Sequence, residues 1–193
     1  VQDLLEYVAG VDIRQRGAEG VQADVSIRGG TFDQTLILLN GINITDPQTG
    51  HHNFNIPVSL SQIERIEILE GPAARVYGPN AFSGAINIIT RQPENNLAKF
   101  IATGGNYGYF DGDLSASVLT GKFQQSFSLN KKRSDGYIEN TDFDIFNLSY
   151  SNKLDVSNGK MSFQVGFSEK EFGANSFYTP KYPNNFEEIT TLI

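Results

Sequence analysis

The sequence predicts two fold classes in series: a small α+β unit over residues 1–93 and a run of antiparallel β-strands over residues 94–193. Three observations carry this reading. The first 93 residues mix one helical spacing with several short alternating runs, each closed by glycine. The stretch from Ile63 to Thr90 reads as strand, glycine-punctuated corner, strand. After Gln92-Pro93-Glu94-Asn95-Asn96 the pattern changes to long segments of period two, which marks the boundary.

In chain order, Val1, Leu4, Leu5 and Val8 recur at helical spacing, and Gly10 stands where a left-handed C-terminal cap would. Val11 to Arg14 and Val25 to Arg28 each alternate, so two short strands flank a polar loop. Leu36 to Leu39, then Asn40-Gly41, then Ile42-Asn43-Ile44 is the strongest short-range hairpin signal available. Thr45 to Asn55 is polar, turn-rich and without periodicity, hence a surface loop. Pro57 suits the first turn of a helix over Val58 to Gln62. Ile66-Glu67-Ile68 begins the next strand, Gly71-Pro72 breaks it, Ala73 to Val76 has room for one helical turn, and Ile86 to Thr90 resumes as strand.

Five alternating segments follow. Phe123, Phe127 and Leu129 alternate with Gln124, Ser126, Ser128 and Asn130; Phe146, Leu148 and Tyr150 alternate with Asn147, Ser149 and Ser151. Met161, Phe163, Val165 and Phe167 alternate with Ser162, Gln164, Gly166 and Ser168. Leu114 to Val118 repeats this less cleanly, and Lys99 to Gly105 is the weakest. The connections at Thr120 to Lys122 and Val156 to Gly159 are short, whereas Lys131 to Asp142 is long and the stretch from Glu169 onward does not alternate. Its aromatics, Phe172, Phe177, Tyr178, Tyr182 and Phe186, are expected to pack a loop on itself.

Composition removes several functions. With 22 acidic against 15 basic residues the formal charge is −7, and no long Lys/Arg run appears, which argues against a nucleic-acid surface. The absence of cysteine excludes disulfides, thiolate metal sites and cysteine nucleophiles. The longest apolar run, Leu36 to Leu39, is far below the roughly 20 residues of a spanning helix, although a barrel strand needs only about 9–11. The amino terminus carries no charged segment followed by an apolar core, so any secretory signal is expected to be absent and the chain to be an excerpt.

Alternation by itself does not separate a transmembrane barrel from a soluble sandwich, since apolar-in and apolar-out give the same string. The run ERIEILEGPAARVYGPNAFSGAINIIT, together with VSIRGG and LLNGI upstream, closely resembles the plug domain of TonB-dependent outer-membrane receptors. The resemblance implies an α+β plug domain, a small mixed sheet with short helices, over residues 1–93. It implies that residues 94–193 are the first antiparallel β-strands of an incomplete transmembrane β-barrel. Five strands cannot close a barrel able to hold a plug, so further strands are expected. The function implied is reception of an extracellular ligand and, in the full-length protein, its import with energy coupled through TonB at the cell outer membrane of a Gram-negative bacterium. TonB would engage a Ton box, and none is recognisable in these residues. Outer-membrane lipid and a small-molecule or oligosaccharide ligand are the other partners implied; no cofactor is.

Carried over by position, the ligand-binding loops are Phe32 and Asp33, which follow Gly29-Gly30, and Gln48, Thr49, His51, His52, Asn53 and Phe54. They offer donors, acceptors and aromatic rings suited to a polar ligand. His51-His52 does not have metal-site spacing, because neighbours in an extended chain point apart and no third ligand stands nearby; Asp33 and Asp46 are too sparse for calcium. Glu64, Glu67 and Glu70, with Arg65 and Arg75, are expected to be ion pairs at the plug–barrel interface in place of an acid–base carboxylate pair, with Arg28 and Arg65 pairing with acidic barrel residues. No Gly-x-Ser-x-Gly elbow or supported Ser/His/Asp set is present, so no enzymatic activity is expected. The rival reading is a soluble β-rich carbohydrate-binding or adhesion module.

Overall fold

The computed structural model describes residues 2–46, 48–71, 74–78 and 80–193, without the side chains of Ala74 and Arg75. The chain enters on α1 (Gln2–Leu5), one turn that buries Leu5 and leaves Leu4 exposed. The helical spacing reaches further than the helix does. The strands β1 (Val11–Arg16) and β2 (Gln22–Ile27) form an antiparallel hairpin that pairs Val11 with Ile27 and Arg16 with Gln22. β3 (Thr35–Leu39) is buried along its whole length, as a continuous apolar run requires.

Asn40 and Gly41 turn the chain into β4 (Ile42–Asn43), both with positive φ (53° and 83°), the geometry of a type I′ hairpin. The turn is bound to the end of a later strand: Asn40 Nδ2 donates to Thr90 Oγ1 at 3.0 Å and Gly41 N donates to Asn87 Oδ1 at 2.9 Å. β5 (Ile63–Glu70) and β6 (Gly84–Thr90) complete a mixed sheet ordered β4-β3-β6-β5, with β6 parallel to β3 and antiparallel to β5. Between them α2 (Ala74–Tyr77) makes the single turn of the corner; Pro72, Ala73 and Pro79 lie outside the described residues. Leu36, Leu38, Ala81 and Ala85 form one cluster of this unit's core.

The second half is a six-stranded antiparallel meander: β7 (Leu97–Gly104), β8 (Phe110–Thr120), β9 (Phe123–Ser134), β10 (Phe143–Val156), β11 (Gly159–Gly173) and β12 (Phe186–Leu192). Register aligns one apolar row across all six: Phe100, Leu114, Leu129, Leu148, Phe167 and Leu192. The opposite face carries Ser115, Ser128, Ser149 and Gly166 in the same manner. The polar face is the covered one. Ser128, Ser149 and Ser168 are buried, while Phe100, Met161 and Phe163 are more than half exposed. A soluble sandwich would bury the apolar side, so this sheet is built for an apolar exterior. No helix among the described residues is long and apolar enough to cross a membrane.

Three sequence expectations need correction. β12 falls in the stretch read as non-alternating, giving six strands where five were expected. Its exposed face carries Phe186, Glu188, Thr190 and Leu192, which do not read as one chemistry. Pro57 to Gln62 holds only a 3-10 turn at Leu60–Gln62 in place of a helix over Val58 to Gln62. The strands also run past the apolar band: Lys131 to Ser134 belong to β9 and Glu169 to Gly173 to β11, where both faces are polar or mixed and period two vanishes.

The chain divides into two compact units, residues 1–56 with 63–90, and residues 57–62 with 91–193. The segment 57–62 thus groups with the meander.

Candidate functional site

The two loops singled out in the sequence lie together in the α/β unit. The turn after β2 sets Arg28 and Gly29 at positive φ (51° and 74°) and delivers a 3-10 turn, Phe32–Gln34, braced by Thr31 N donating to Gln34 Oε1 at 3.2 Å. The second loop is folded by its own side chains. Asp46 Oδ1 accepts from Gln48 N at 2.7 Å and Thr49 N at 3.1 Å, and Asn53 Oδ1 accepts from Asp46 N at 3.0 Å. A 3-10 turn, Gly50–His52, then presents the two histidines.

Contact between the loops centres on Phe32 and His51, whose rings lie 4.3 Å apart at 31°. A Cβ at Gly50 would stand 2.1 Å from Asp33 Oδ1 and 2.6 Å from Phe32 Cδ2, so the loops close up only because residue 50 has no side chain. His51 is further fixed by a hydrogen bond between its Nδ1 and Asp24 Oδ1 at 2.8 Å, and Arg16 donates to the other carboxylate oxygen at 2.5 Å. Asp24 is buried. It is a charged acceptor held between two partners in the middle of β2, and neither it nor Arg16 stood out in the sequence. The available signal was an Asp within a strand otherwise buried on both sides.

Of the eight ligand-site candidates, Asp33 and Gln48 are exposed and Phe32, Thr49, His51 and His52 are half-buried. Asn53 and Phe54 are buried; Asn53 serves the loop's internal bracing. Arg28 donates from Nε to Glu70 Oε2 at 2.7 Å, and Arg65 binds Glu67 at 2.9 Å and Glu64 at 2.6 Å, so each has carboxylate partners inside its own unit. The hydrogen bond to Glu67 is the main reason Arg65 is held above its ordinary pKa. Among the described residues the group of three ligand atoms close enough for a metal is Glu169, Glu171 and Glu188, all exposed on the meander's outer face; the histidines are not in it.

In the meander the long connections are cross-braced. Asn140 Nδ2 donates to the carbonyls of Pro183 and Asn185, both at 2.8 Å, and Asn175 Nδ2 donates to Glu139 O at 2.8 Å. Phe172, expected in the loop, lies in β11 and stacks on Phe177 of the following connection at 5.8 Å, so the loop packs on a strand, whereas Tyr178 and Tyr182 remain about half exposed.

Comparison with known proteins adds an independent line. Residues 1–85 match the model of the TonB-dependent Receptor Plug Domain. The chain is 33% identical over 137 residues to the vitamin B12 transporter BtuB of Vibrio cholerae serotype O1, covering 70% of this chain and 22% of that protein. It is 36% identical over 102 residues to BtuB of Vibrio vulnificus, covering 53% and 16%. The chain therefore spans about a fifth of the length of these relatives. In fold it is similar to the ferric yersiniabactin uptake receptor FyuA from Yersinia pestis, with TM-score 0.68, 17% identity, and 89% of this chain and 29% of that one covered. The copper transporter OprC gives TM-score 0.70 at 18% identity, covering 89% and 28%.

Proposed function

The chain belongs to the TonB-dependent receptor family of the Gram-negative outer membrane, and from that premise we propose that the whole protein binds an extracellular ligand and imports it with energy delivered through TonB. Residues 1–93 act as the plug and residues 94–193 as the first staves of the barrel around it. The observation that carries this reading is the meander with its covered polar face and bare apolar face, which suits lipid outside and a plug inside. The same inversion disfavours the soluble carbohydrate-binding or adhesion module, and the site offers binding chemistry with no catalytic set.

The ligand meets the plug at Phe32, Asp33, Gln48, Thr49, His51 and His52, while buried Asn53 and Phe54 hold the loop in shape. Hydroxyl, amide, carboxylate and imidazole groups around one ring favour a polar small molecule or oligosaccharide. That Arg28 and Arg65 also meet carboxylates of further barrel strands belongs to the same proposal. The test is uptake by cells lacking the full-length gene, with cobalamin, ferric siderophores, haem, copper and oligosaccharides as a panel. Loss of uptake of one compound, restored by the gene, is expected; unchanged uptake of every compound removes the proposal.

A further inference from the structure

The sequence holds two Asn-Gly dipeptides, Asn40-Gly41 and Asn158-Gly159, and both sit in hairpin turns. Asparagine followed by glycine is the pair most open to attack of the backbone on its own side chain, because glycine has no Cβ to crowd its nitrogen. The glycine nitrogen bonds to the asparagine Cγ, the Cγ–Nδ2 bond breaks, and Nδ2 leaves as ammonia with the proton that the attacking nitrogen gives up. Water then opens the cyclic imide at either carbonyl and leaves an aspartyl or an isoaspartyl residue. The reaction needs neither a catalyst nor a redox partner, so the local structure decides its rate.

The two dipeptides meet opposite surroundings. At the first, β6 holds both reacting groups. Gly41 N donates to Asn87 Oδ1 at 2.9 Å, and Asn87 is itself oriented by donating from Nδ2 to Glu67 Oε2 at 3.1 Å. The Asn40 amide is gripped at both ends: Oδ1 accepts from Thr90 N and Nδ2 donates to Thr90 Oγ1, each at 3.0 Å. Asn40 N donates to Ile88 O at 2.9 Å and pins the backbone to the same strand. Swinging Asn40 Cγ onto Gly41 N breaks the amide's bonds and the Gly41 bond together. At the second, Ser157 and Asn158 form an exposed turn, and among the described residues no hydrogen bond holds the Asn158 side chain. A Cβ on Gly159 would meet nothing within 4 Å, and Gly159 pairs with Val156 at the end of the ladder, where a strand pair frays at least cost. We propose that Asn158 is a site of spontaneous deamidation in the folded protein, and that β6, through Asn87 and Thr90, keeps the identical dipeptide at Asn40 from the same reaction. Conversion at 158 adds a negative charge to an exposed turn. Conversion at 40 would remove the donor to Thr90 and disturb the hairpin that joins β3 to β4.

The experiment is peptide mapping by mass spectrometry of the full-length receptor, incubated in mildly alkaline buffer either folded in lipid vesicles or unfolded in guanidinium. Each folded rate of amide-to-acid conversion is divided by the rate at the same position in denaturant. That ratio is expected to be at least about tenfold higher at 158 than at 40, since closure at 40 waits on a larger opening. Thr90→Val removes the hydroxyl alone and should raise conversion at 40 about fivefold, the effect of one hydrogen bond, with 158 unchanged. Gly159→Ala crowds the attacking nitrogen and should slow conversion at 158 about tenfold, with 40 unchanged. Equal ratios at the two positions of the parent overturn the proposal, as does a parent rate at 40 in Thr90→Val or at 158 in Gly159→Ala.

Discussion

Asp24 shows what a single buried charge does in this molecule. It accepts from both Arg16 and His51, and through His51 it fixes the loop that carries Gln48 to Asn53. Removing such an acceptor costs about 1–3 kcal/mol, because its donors lose a charge-assisted partner in a desolvated place. Asp24→Ala should therefore lower unfolding stability by that amount and speed proteolysis within residues 46–55; an unchanged urea midpoint with an unchanged cleavage rate would contradict the assignment. Arg28 and Glu70 provide the contrast. Their ion pair is solvent-exposed, with Arg28 63% accessible, so Arg28→Ala should cost no more than about 0.5 kcal/mol in the same measurement.

Elements respond to different rules. The Asn40-Gly41 hairpin depends on φ +83° at Gly41, a conformation that costs a side-chain-bearing residue about 1–2 kcal/mol. Gly41→Ala should destabilise by that much, read by thermal or urea unfolding; a neutral effect would mean the turn relaxes to another type. On the meander, Leu129 and Asn130 are adjacent in β9 and face opposite ways. Leu129→Arg puts a cation on the apolar face and should cost about 2–4 kcal/mol of folding stability in vesicles. Asn130→Arg, on the polar face, should fold with a yield close to the parent. Equal yields for both would show that the apolar row does not meet lipid.

For the whole molecule, the consequence is an open sheet. The edges at β7 and β12 have no strand partner among the described residues, and the apolar row is bare. The isolated 193-residue chain should self-associate in detergent-free buffer, where light scattering would detect it; a monodisperse monomer would argue against an apolar exterior. The segment 57–62 belongs to this scale too, since it groups with the strand sheet rather than with its sequence neighbours.

What could be read from the sequence was what neighbouring residues decide among themselves. The Asn40-Gly41 turn, the strands of Ile63 to Thr90, and the period-two segments from Leu114 to Ser168 each follow from local sterics or from a face that meets one environment throughout. At Lys131 to Ser134 polar residues occupy both faces, and in β12 each face mixes polar and apolar residues, so the period carries no message there. Which face of the meander is covered, which residues of the loops approach one another, and where 57–62 belongs were decided only by tertiary structure. Each depends on a partner far along the chain: Asp24 for His51, Asp113 for Ser61, Gly166 for Pro57. Local sequence fixes which way a side chain leaves the backbone, whereas burial and hydrogen bonding depend on what arrives opposite it.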